Sequence, residues 1–337
     1  MRYLYSILIY CLTSFLFTSC IKKEQPDDTP ENNFEALWQI IDRQYCFLDY
    51  KAEAYGLDWN EVYGRYSPRI SSSMTSSQLF EVLCEMLAEL RDGHVNLYSA
   101  ADVGRYWSWH EDYPTNFNEE IHRLYLGTDY RIASGIKYKI LDDNIGYIYY
   151  ESFSSAIGDG NLDEVMNYMS LCNGLIVDVR NNSGGTLTYA ERLASRFTNE
   201  TRLVGYIAHK TGPGHSDFST PEAEYIEPSN GIRWQKKAVV LTNRSCYSST
   251  NTFVRDMKEC PLVTIMGDRT GGGSGLPFSS ELPNGWSIRF SACPMYDAQM
   301  NHIEFGIEPD ISISLDSTDV AKKKDTLIET ARKFLNQ

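Results

Sequence analysis

The second half of the chain repeats one pattern, in which a short apolar run is followed by a segment whose apolar residues have helical spacing. The pattern predicts strands at 145–150, 175–179, 203–208, 238–241 and 262–266, and helices at 162–172, 186–197, 249–258 and 325–336. Strands that alternate with helices of this length form a largely parallel sheet with both faces covered. The predicted fold class is therefore α/β, with a mostly parallel sheet.

The first hundred residues follow a different pattern. Apolar residues recur at helical spacing from Phe34 to Leu48 and again from Leu79 to Leu90, and Thr75 with Gln78 forms a capping-box signature before the second run. Residues 99–134 are rich in Trp, Tyr, Asp and Glu and lack a clear period. We therefore predict a small N-terminal helical domain with an aromatic-rich insert over 34–134, and a larger core over 135–337.

Composition narrows the class of protein. The chain has 337 residues, 42% of them hydrophobic, which indicates a folded protein. Its formal charge of -14 gives no basic surface for nucleic acid. The cysteines after Cys20 are widely scattered and lack metal-ligand spacing, so no metal site, no disulfide scaffold and no cofactor is predicted.

Two strand ends carry candidate chemistry. The run from Val239 leads through Thr242-Asn-Arg-Ser-Cys-Tyr-Ser248 into a predicted helix, and this small-residue turn would present the Ser248 hydroxyl. The run from Leu175 ends in Asp178-Val-Arg-Asn-Asn-Ser-Gly184-Gly185, where bare backbone amides could stabilise a developing oxyanion. Together the two turns indicate acyl transfer with Ser248 as nucleophile.

These two motifs, followed by Gly267-Asp-Arg-Thr-Gly-Gly-Gly273 and preceded by Leu90-Arg-Asp-Gly-His94, resemble the core of the tail-specific, or C-terminal processing, serine peptidases. The resemblance covers roughly half to two thirds of the chain. It implies a crotonase/ClpP-like α/β core and a protein or peptide substrate. Relatives often carry a PDZ domain between the helical part and the core, but the segment between Leu97 and Ile136 is too short for one, so none is predicted.

The family has two catalytic arrangements. Members with a Ser/Lys pair carry the lysine in a Gly-Lys-Gly sequence, where this chain has Gly272-Gly273-Ser274. Tricorn-like members use an early histidine and a late glutamate, and the matching positions here are His94 and Glu304. The resemblance therefore implies a triad of Ser248, His94 and Glu304.

The residue types suit that chemistry. A serine hydroxyl needs a neighbouring base, and an imidazole can take and return its proton. A carboxylate on the other ring nitrogen fixes the tautomer, which is the role predicted for Glu304. The predicted oxyanion donors are the backbone N–H of Ser249 and that of Gly184 or Gly185.

Each assignment has an alternative. Ser248 could serve only as a helix N-cap, and His94 could be a turn or core histidine. His302 is the main competitor for the base. The competing carboxylates are Asp297, Glu308 and Asp310. Cys246 is expected to be a buried packing residue rather than a thiol nucleophile.

The N-terminus predicts export. Arg2 and an apolar run to Phe17 are typical of a signal peptide over residues 1–19. Leu16-Phe-Thr-Ser-Cys20 resembles a bacterial lipobox, so Cys20 is a predicted lipidation site and 20–33 a polar tether. The expected location is a bacterial membrane, facing the periplasm or the cell surface.

These features predict an exported, lipid-anchored serine endopeptidase. An inactive peptide- or lipid-binding protein on the same fold is the main alternative, and an enzyme acting on coenzyme A thioesters is a second. Oligomeric state and cleavage specificity stay open.

Overall fold

A computed structural model describes residues 26–337, so the predicted signal peptide and Cys20 lie outside the described part of the chain. Its strands, in chain order, are β1 Asn96–Tyr98, β2 Val103–Gly104, β3 Arg131–Ala133, β4 Ile136–Ile140, β5 Ile145–Tyr150, β6 Gly174–Asp178, β7 Arg202–Ile207, β8 Glu222–Ile226, β9 Ala238–Thr242, β10 Val263–Gly267, β11 Gly275–Glu281, β12 Ser287–Asp297 and β13 Ile311–Ser312.

The helices, in the same order, are α1 Pro30–Gln44, α2 Leu48–Tyr55, α3 Trp59–Tyr66, α4 Ser76–Ala88, α5 Ser108–Glu111, α6 Glu119–Leu126, α7 Asp159–Met169, α8 Leu187–Ala194, α9 Ser249–Lys258, α10 Ser317–Ala321 and α11 Thr326–Leu335. Short 3₁₀ turns lie at Ser67–Arg69 and Ser195–Phe197. Within residues 26–337, no helix combines the length and the apolar character that crossing a membrane requires.

The central sheet has the strand order β13-β10-β9-β6-β5-β4-β3. Its strands from β13 to β5 are parallel neighbours, whereas β4 and β3 are added in antiparallel orientation. Every residue of β5, β6 and β9 is buried, as expected for strands covered by helices on both faces. The α/β fold class is confirmed, with a mixed rather than wholly parallel sheet.

A second, antiparallel sheet was not predicted. It has the order β2-β1-β12-β7-β8, and β11 also pairs with β12. The strand predicted at 203–208 corresponds to β7, but no strand was predicted at β8. Most residues of β8 and β11 are at least partly exposed, so neither strand has the apolar run by which the core strands were recognised.

The N-terminal helices pack on this second sheet. Phe34, Leu37 and Leu83 share one buried core with Ile288 and Phe290 of β12. The capping box of α4 is present as predicted, because Thr75 accepts a hydrogen bond from the Gln78 N–H and the Gln78 side chain accepts one from the Thr75 N–H. The helical segment is therefore joined to the sheet by a continuous apolar core.

The sheet topology brings the two candidate turns together. Strands β6 and β9 are adjacent and parallel, with Asp178 opposite Leu241. Their carboxyl ends therefore lie at the same edge of the sheet. The glycine pair after β6 and Ser248 after β9 emerge side by side at that edge, where open α/β sheets commonly bind ligands.

Candidate active site

Ser248 lies at the turn between β9 and α9. Its backbone has φ 58° and ψ -124°, a conformation that a non-glycine residue adopts only when its surroundings enforce it. A hydrogen bond of 2.9 Å from the Ser248 N–H to the Gly272 carbonyl holds the turn. The Ser248 side chain makes no capping hydrogen bond to α9. It is therefore not used as the N-cap that the alternative interpretation required.

His94 supplies the partner of the Ser248 hydroxyl. The distance from Nε2 of His94 to Oγ of Ser248 is 3.0 Å, which is a hydrogen bond between residues 154 positions apart in sequence. The ring of Tyr247 packs edge-on against the imidazole, with 5.1 Å between ring centroids. The geometry thus joins a partly exposed serine hydroxyl to a buried imidazole.

Burial keeps the imidazole neutral. His94 is 5% exposed, and burial lowers its pKa to about 4, with the positive charge of Arg289 acting in the same direction and the Asp92 carboxylate opposing it. Neutral imidazole has one nitrogen free to accept a proton. At neutral pH His94 can therefore act as an acceptor toward Ser248.

Asp92 fixes the loop that presents His94. Its Oδ1 accepts the His94 backbone N–H at 2.7 Å, and its Oδ2 accepts the hydroxyls of Tyr45 at 2.9 Å and Ser291 at 2.8 Å. Although burial acts in the opposite direction, Lys51 and His94 hold the pKa of Asp92 below its usual range. Asp92 was part of the Asp-Gly-His motif in the sequence, but no role was predicted for it.

Glu304 does not make the predicted bond to the imidazole. Its Oε2 accepts the Ser274 N–H at 3.0 Å and its Oε1 lies 3.3 Å from Nζ of Lys51. Nδ1 of His94 is buried and has no hydrogen-bond partner among residues 26–337. The Gly275 backbone nearby favours the protonated form of the imidazole. The expectation of a direct contact between Glu304 and His94 is therefore not met, because the glutamate is engaged by Lys51 and Ser274.

Lys51, Asp92 and Glu304 form a buried charge cluster behind His94. Lys51 donates to the Leu90 carbonyl at 2.6 Å and lies 4.0 Å from Asp92. Burial and the Asp92 charge raise the pKa of Glu304 to about 8, with Lys51 acting against them. Of the two carboxyl groups, Asp92 is therefore the more readily ionised. Lys51 lies in α2, beyond the apolar repeat that ends at Leu48, so no local signal pointed to it.

The predicted oxyanion donors differ in whether their backbone N–H groups are free to bind a substrate oxygen. The backbone N–H groups of Ser249 and Gly185 have no acceptor within residues 26–337. The Gly184 N–H is already bound to Oδ1 of Asn182 at 3.0 Å, and Gly184 is buried whereas Gly185 is exposed. Of the two glycines, only Gly185 therefore presents an unused amide.

Asn182 is a supporting residue that the sequence did not reveal. Besides Gly184, its Oδ1 accepts the Thr250 hydroxyl at 2.7 Å, and its carbonyl accepts the Tyr247 N–H at 3.2 Å. It thereby links the glycine turn after β6 to the serine turn after β9. No local signal distinguishes it from Asn181 beside it.

The position that holds lysine in the Ser/Lys branch is closed to a side chain here. Gly273 has φ 77°, and a Cβ at this position would overlap the Tyr247 ring. Tyr247 stacks on Trp109 with 4.0 Å between centroids and donates its hydroxyl to Asp92 at 3.3 Å. The glycine therefore belongs to the packing around His94.

The competing residues lie elsewhere. His302 stacks on Tyr50, with 3.9 Å between centroids, and burial lowers its pKa to about 4. It makes no hydrogen bond to Ser248. Cys246 is fully buried, donates to the Val179 carbonyl at 3.1 Å, and has a pKa raised to about 12 by burial. Neither residue can replace His94 or Ser248 in this arrangement.

Ser248 and His94 open into a cleft of about 300 Å³. Its walls include the aromatic side chains Tyr98, Tyr106, Trp107 and Trp109. Trp107 is 41% exposed, so part of the aromatic insert borders the cleft instead of packing in a core. The cleft also contains two arginines, Arg105 and Arg289.

An α/β sheet edge that presents a serine on a strained strand-to-helix turn, bonded to a histidine, defines the class of serine hydrolases. The chain belongs to peptidase family S41, because the model of that family matches residues 144–313. The model of the tricorn protease C1 domain matches residues 26–88, which include helices α1 to α4.

Similar proteins agree with this assignment. A crystal structure of a candidate peptidase from Parabacteroides merdae ATCC 43184 is 53% identical, with a TM-score of 0.88 over 92% of this chain and 98% of that chain. Mature CPAF in complex with lactacystin is 13% identical, with a TM-score of 0.68 over 91% of this chain and 98% of that chain, and shares the fold.

Carboxy-terminal processing protease CtpB from Bacillus subtilis strain 168 is 24% identical over 177 residues. That match covers 52% of this chain and 35% of the relative. The chain thus spans only about a third of the length of this curated relative.

Proposed function

We propose that this protein is an exported serine endopeptidase in which Ser248 is the nucleophile and His94 the general base. The observation that carries the proposal is the 3.0 Å bond between Nε2 of His94 and Oγ of Ser248, made by a serine in a strained turn and not used as a cap. Strain at such a position is expected where a side chain must be aimed at a substrate.

The proposed reaction uses this pair in two stages. Oγ of Ser248 attacks the substrate carbonyl carbon while its proton passes to Nε2 of His94. The oxyanion accepts hydrogen bonds from the N–H groups of Ser249 and Gly185. His94 then gives the proton to the leaving amine as the peptide C–N bond breaks. In the second stage water gives a proton to His94 and attacks the acyl-enzyme. His94 returns that proton to Oγ of Ser248 as the acyl–oxygen bond breaks and the second product leaves.

We assign Glu304 a positioning role in place of direct contact with the imidazole. It holds the N–H of Ser274, the residue before Gly275, whose backbone favours the protonated form of His94. Glu304 also binds Lys51 in the charge cluster. Glu304→Gln is expected to keep most activity, because an amide oxygen can still accept the Ser274 N–H, whereas Glu304→Ala leaves that N–H buried without a partner.

The test of the proposed function is labelling of the protein spanning residues 21–337 with a fluorophosphonate probe, followed by intact mass. We expect one adduct on the wild type and none on Ser248→Ala or His94→Ala. His302→Ala is the control, since His302 lies outside the cleft, and should label like the wild type. Absence of an adduct on wild type between about pH 6 and 9, where a histidine base is neutral or close to it, favours the inactive binding protein instead.

Export and lipidation are a second part of the proposal. They are supported by the apolar run before Cys20 and by the lipobox-like sequence that ends there. With the full chain expressed in a bacterial host, we expect the wild type in the membrane fraction carrying a lipid-modified Cys20. Cys20→Ala should remain unlipidated. An unmodified Cys20 in the mature wild type would contradict the proposal.

A further inference from the structure

One face of strand β1 and its partner strand forms a wall of the cleft. Asn96 and Tyr98, which are alternate residues of β1, both line the cleft, and His94 lines it from the turn just before the strand. In the antiparallel pair of β1 with β12, Arg289 is the residue opposite Asn96. Side chains of such a cross-strand pair lie on the same face of the sheet. Arg289 therefore lies on the His94 side of the cleft.

Arg105 stands at the rim of the same cleft. Its guanidinium lies over the Trp107 ring, 5.4 Å from the centroid, and its side chain is exposed. The ring positions this guanidinium without consuming its hydrogen-bond donors. Two arginines from different elements thus line one cavity of about 300 Å³.

Neither arginine is neutralised by a carboxylate in the part of the chain that the structure describes. Arg105 and Arg289 make no ion pair within residues 26–337, whereas the buried Arg180, Arg196 and Arg255 are each paired with carboxylates. Among the described residues, no aspartate or glutamate lines the cleft. The full chain has 45 acidic residues against 31 lysines and arginines. A cleft whose charged side chains are both cationic is therefore unusual on a protein this acidic.

We propose that Arg289 and Arg105 form a subsite for a carboxylate of the substrate, beside Ser248. The planar guanidinium fork matches a carboxylate in two parallel hydrogen bonds, and Arg289 is only partly exposed, which reduces competition from water. The carboxylate can come from an acidic side chain or from the C-terminus of a peptide. The subsite deepens the proposed function and rests on it, since the cleft is taken to hold a peptide.

The test uses binding, so that it does not require turnover. Ser248→Ala protein is immobilised and exposed to two mixtures of randomised octapeptides, one with free C-terminal acids and one with C-terminal amides. Retained peptides are sequenced by mass spectrometry. The same experiment is run on three further proteins, in which Ser248→Ala is combined with Arg289→Gln, with Arg105→Gln or with Arg289→Lys. Arg43→Gln is the control, because it removes the same charge from an exposed residue at the end of α1 that does not line the cleft.

We expect carboxylate-bearing peptides to be enriched about tenfold on Ser248→Ala protein, the scale of one good charge-assisted contact. Arg289→Gln should abolish the enrichment, Arg105→Gln and Arg289→Lys should reduce it, and Arg43→Gln should preserve it. Enrichment of amidated peptides with Asp or Glu identifies an acidic side chain as the ligand. Enrichment restricted to free acids identifies the C-terminus.

No carboxylate enrichment on Ser248→Ala protein, or enrichment that survives in the double variant Arg289→Gln/Arg105→Gln, overturns the subsite. Fluorophosphonate labelling of the wild type is scored separately. Enrichment without labelling would overturn the peptidase and leave the anion subsite standing. Labelling without enrichment would support the peptidase and overturn the carboxylate subsite.

Discussion

Nζ of Lys51 lies 3.3 Å from Oε1 of Glu304, and both side chains are closed to solvent. The lysine comes from helix α2 of the N-terminal segment and the glutamate from the loop before β13. Because Asp92 is also within 4.0 Å of Nζ, one cation serves two buried carboxyl groups directly behind His94. The cluster therefore connects the N-terminal helices to the catalytic edge of the sheet.

Removing Lys51 should destabilise the protein strongly. Lys51→Met leaves Asp92 buried without its cation, and breaking a buried ion pair from one side typically costs about 3–5 kcal/mol. The free energy of unfolding from urea titration measures the effect. The double variant Lys51→Met/Asp92→Asn should recover part of the loss, since it removes the carboxylate that Lys51→Met leaves unpaired. Equal losses in the single and double variants would show that the two residues are not coupled.

Glu304 should make stability depend on pH. Its pKa rises from 4.5 in the unfolded chain to about 8 in the folded protein, mainly through burial. The folded state then holds the proton more tightly, so this contribution is complete below about pH 4.5 and is lost as pH rises toward 8. The slope cannot exceed about 1.4 kcal/mol per pH unit for one group.

Glu304→Gln should remove that slope. The free energy of unfolding is measured for wild type and variant from about pH 5 to 8. As pH rises, the value for the wild type should fall relative to that for the variant. Taking the difference between the two proteins cancels other groups, such as Asp256, whose pKa is also raised, to about 6. A constant difference between the two proteins across this range would mean that Glu304 does not titrate there.

Ser248 was singled out by its strand-to-helix turn, and His94 by the resemblance to tricorn-like peptidases. The structure brings their side chains within hydrogen-bond distance. Lys51, Asp92 and Asn182 acquire their roles through contacts between distant segments, which no spacing encodes. Glu304 was located by resemblance, but its partner was wrong because Lys51 was not foreseen. The second sheet was missed because β8 and β11 are largely exposed and lack an apolar run.

Gly184, which lies against Ser248 in the structure, should tolerate no side chain. A Cβ at Gly184 would lie 2.7 Å from the Tyr247 carbonyl oxygen and 2.9 Å from Cβ of Ser248, and φ is +102° there. Gly184→Ala should therefore displace the Ser248 turn and lower the fluorophosphonate labelling rate by about a hundredfold, the scale of a lost oxyanion contact.

Gly64→Ala is the matched control for Gly184→Ala. Gly64 lies within α3, and a Cβ added there would have no heavy atom of another residue within 4 Å. The labelling rate should stay unchanged, and stability should rise by about 0.5–1 kcal/mol, because alanine favours a helix interior over glycine. Equal labelling by Gly184→Ala and wild type would show that the turn can move without affecting Ser248.

The rate of serine labelling should report the protonation of His94. Burial holds its pKa at about 4, so the ring is neutral and able to accept the Ser248 proton from neutral pH down to about pH 5. The labelling rate should be nearly flat over that range and fall as pH approaches 4. An acid limb centred near the ordinary histidine value of about 6.5 would indicate a solvated imidazole and contradict the described burial.

Substitution of Arg289 should shift the pH dependence of the labelling rate. Its positive charge disfavours a protonated His94, so Arg289→Gln should raise the His94 pKa and move the acid limb of labelling to higher pH. The expected shift is roughly half a pH unit, the scale of one partly solvated charge nearby. Arg43→Gln removes the same charge from a residue that does not line the cleft and should leave the limb in place. A carboxylate bound at Arg289 would neutralise the same charge, so substrate binding itself should make His94 a stronger base.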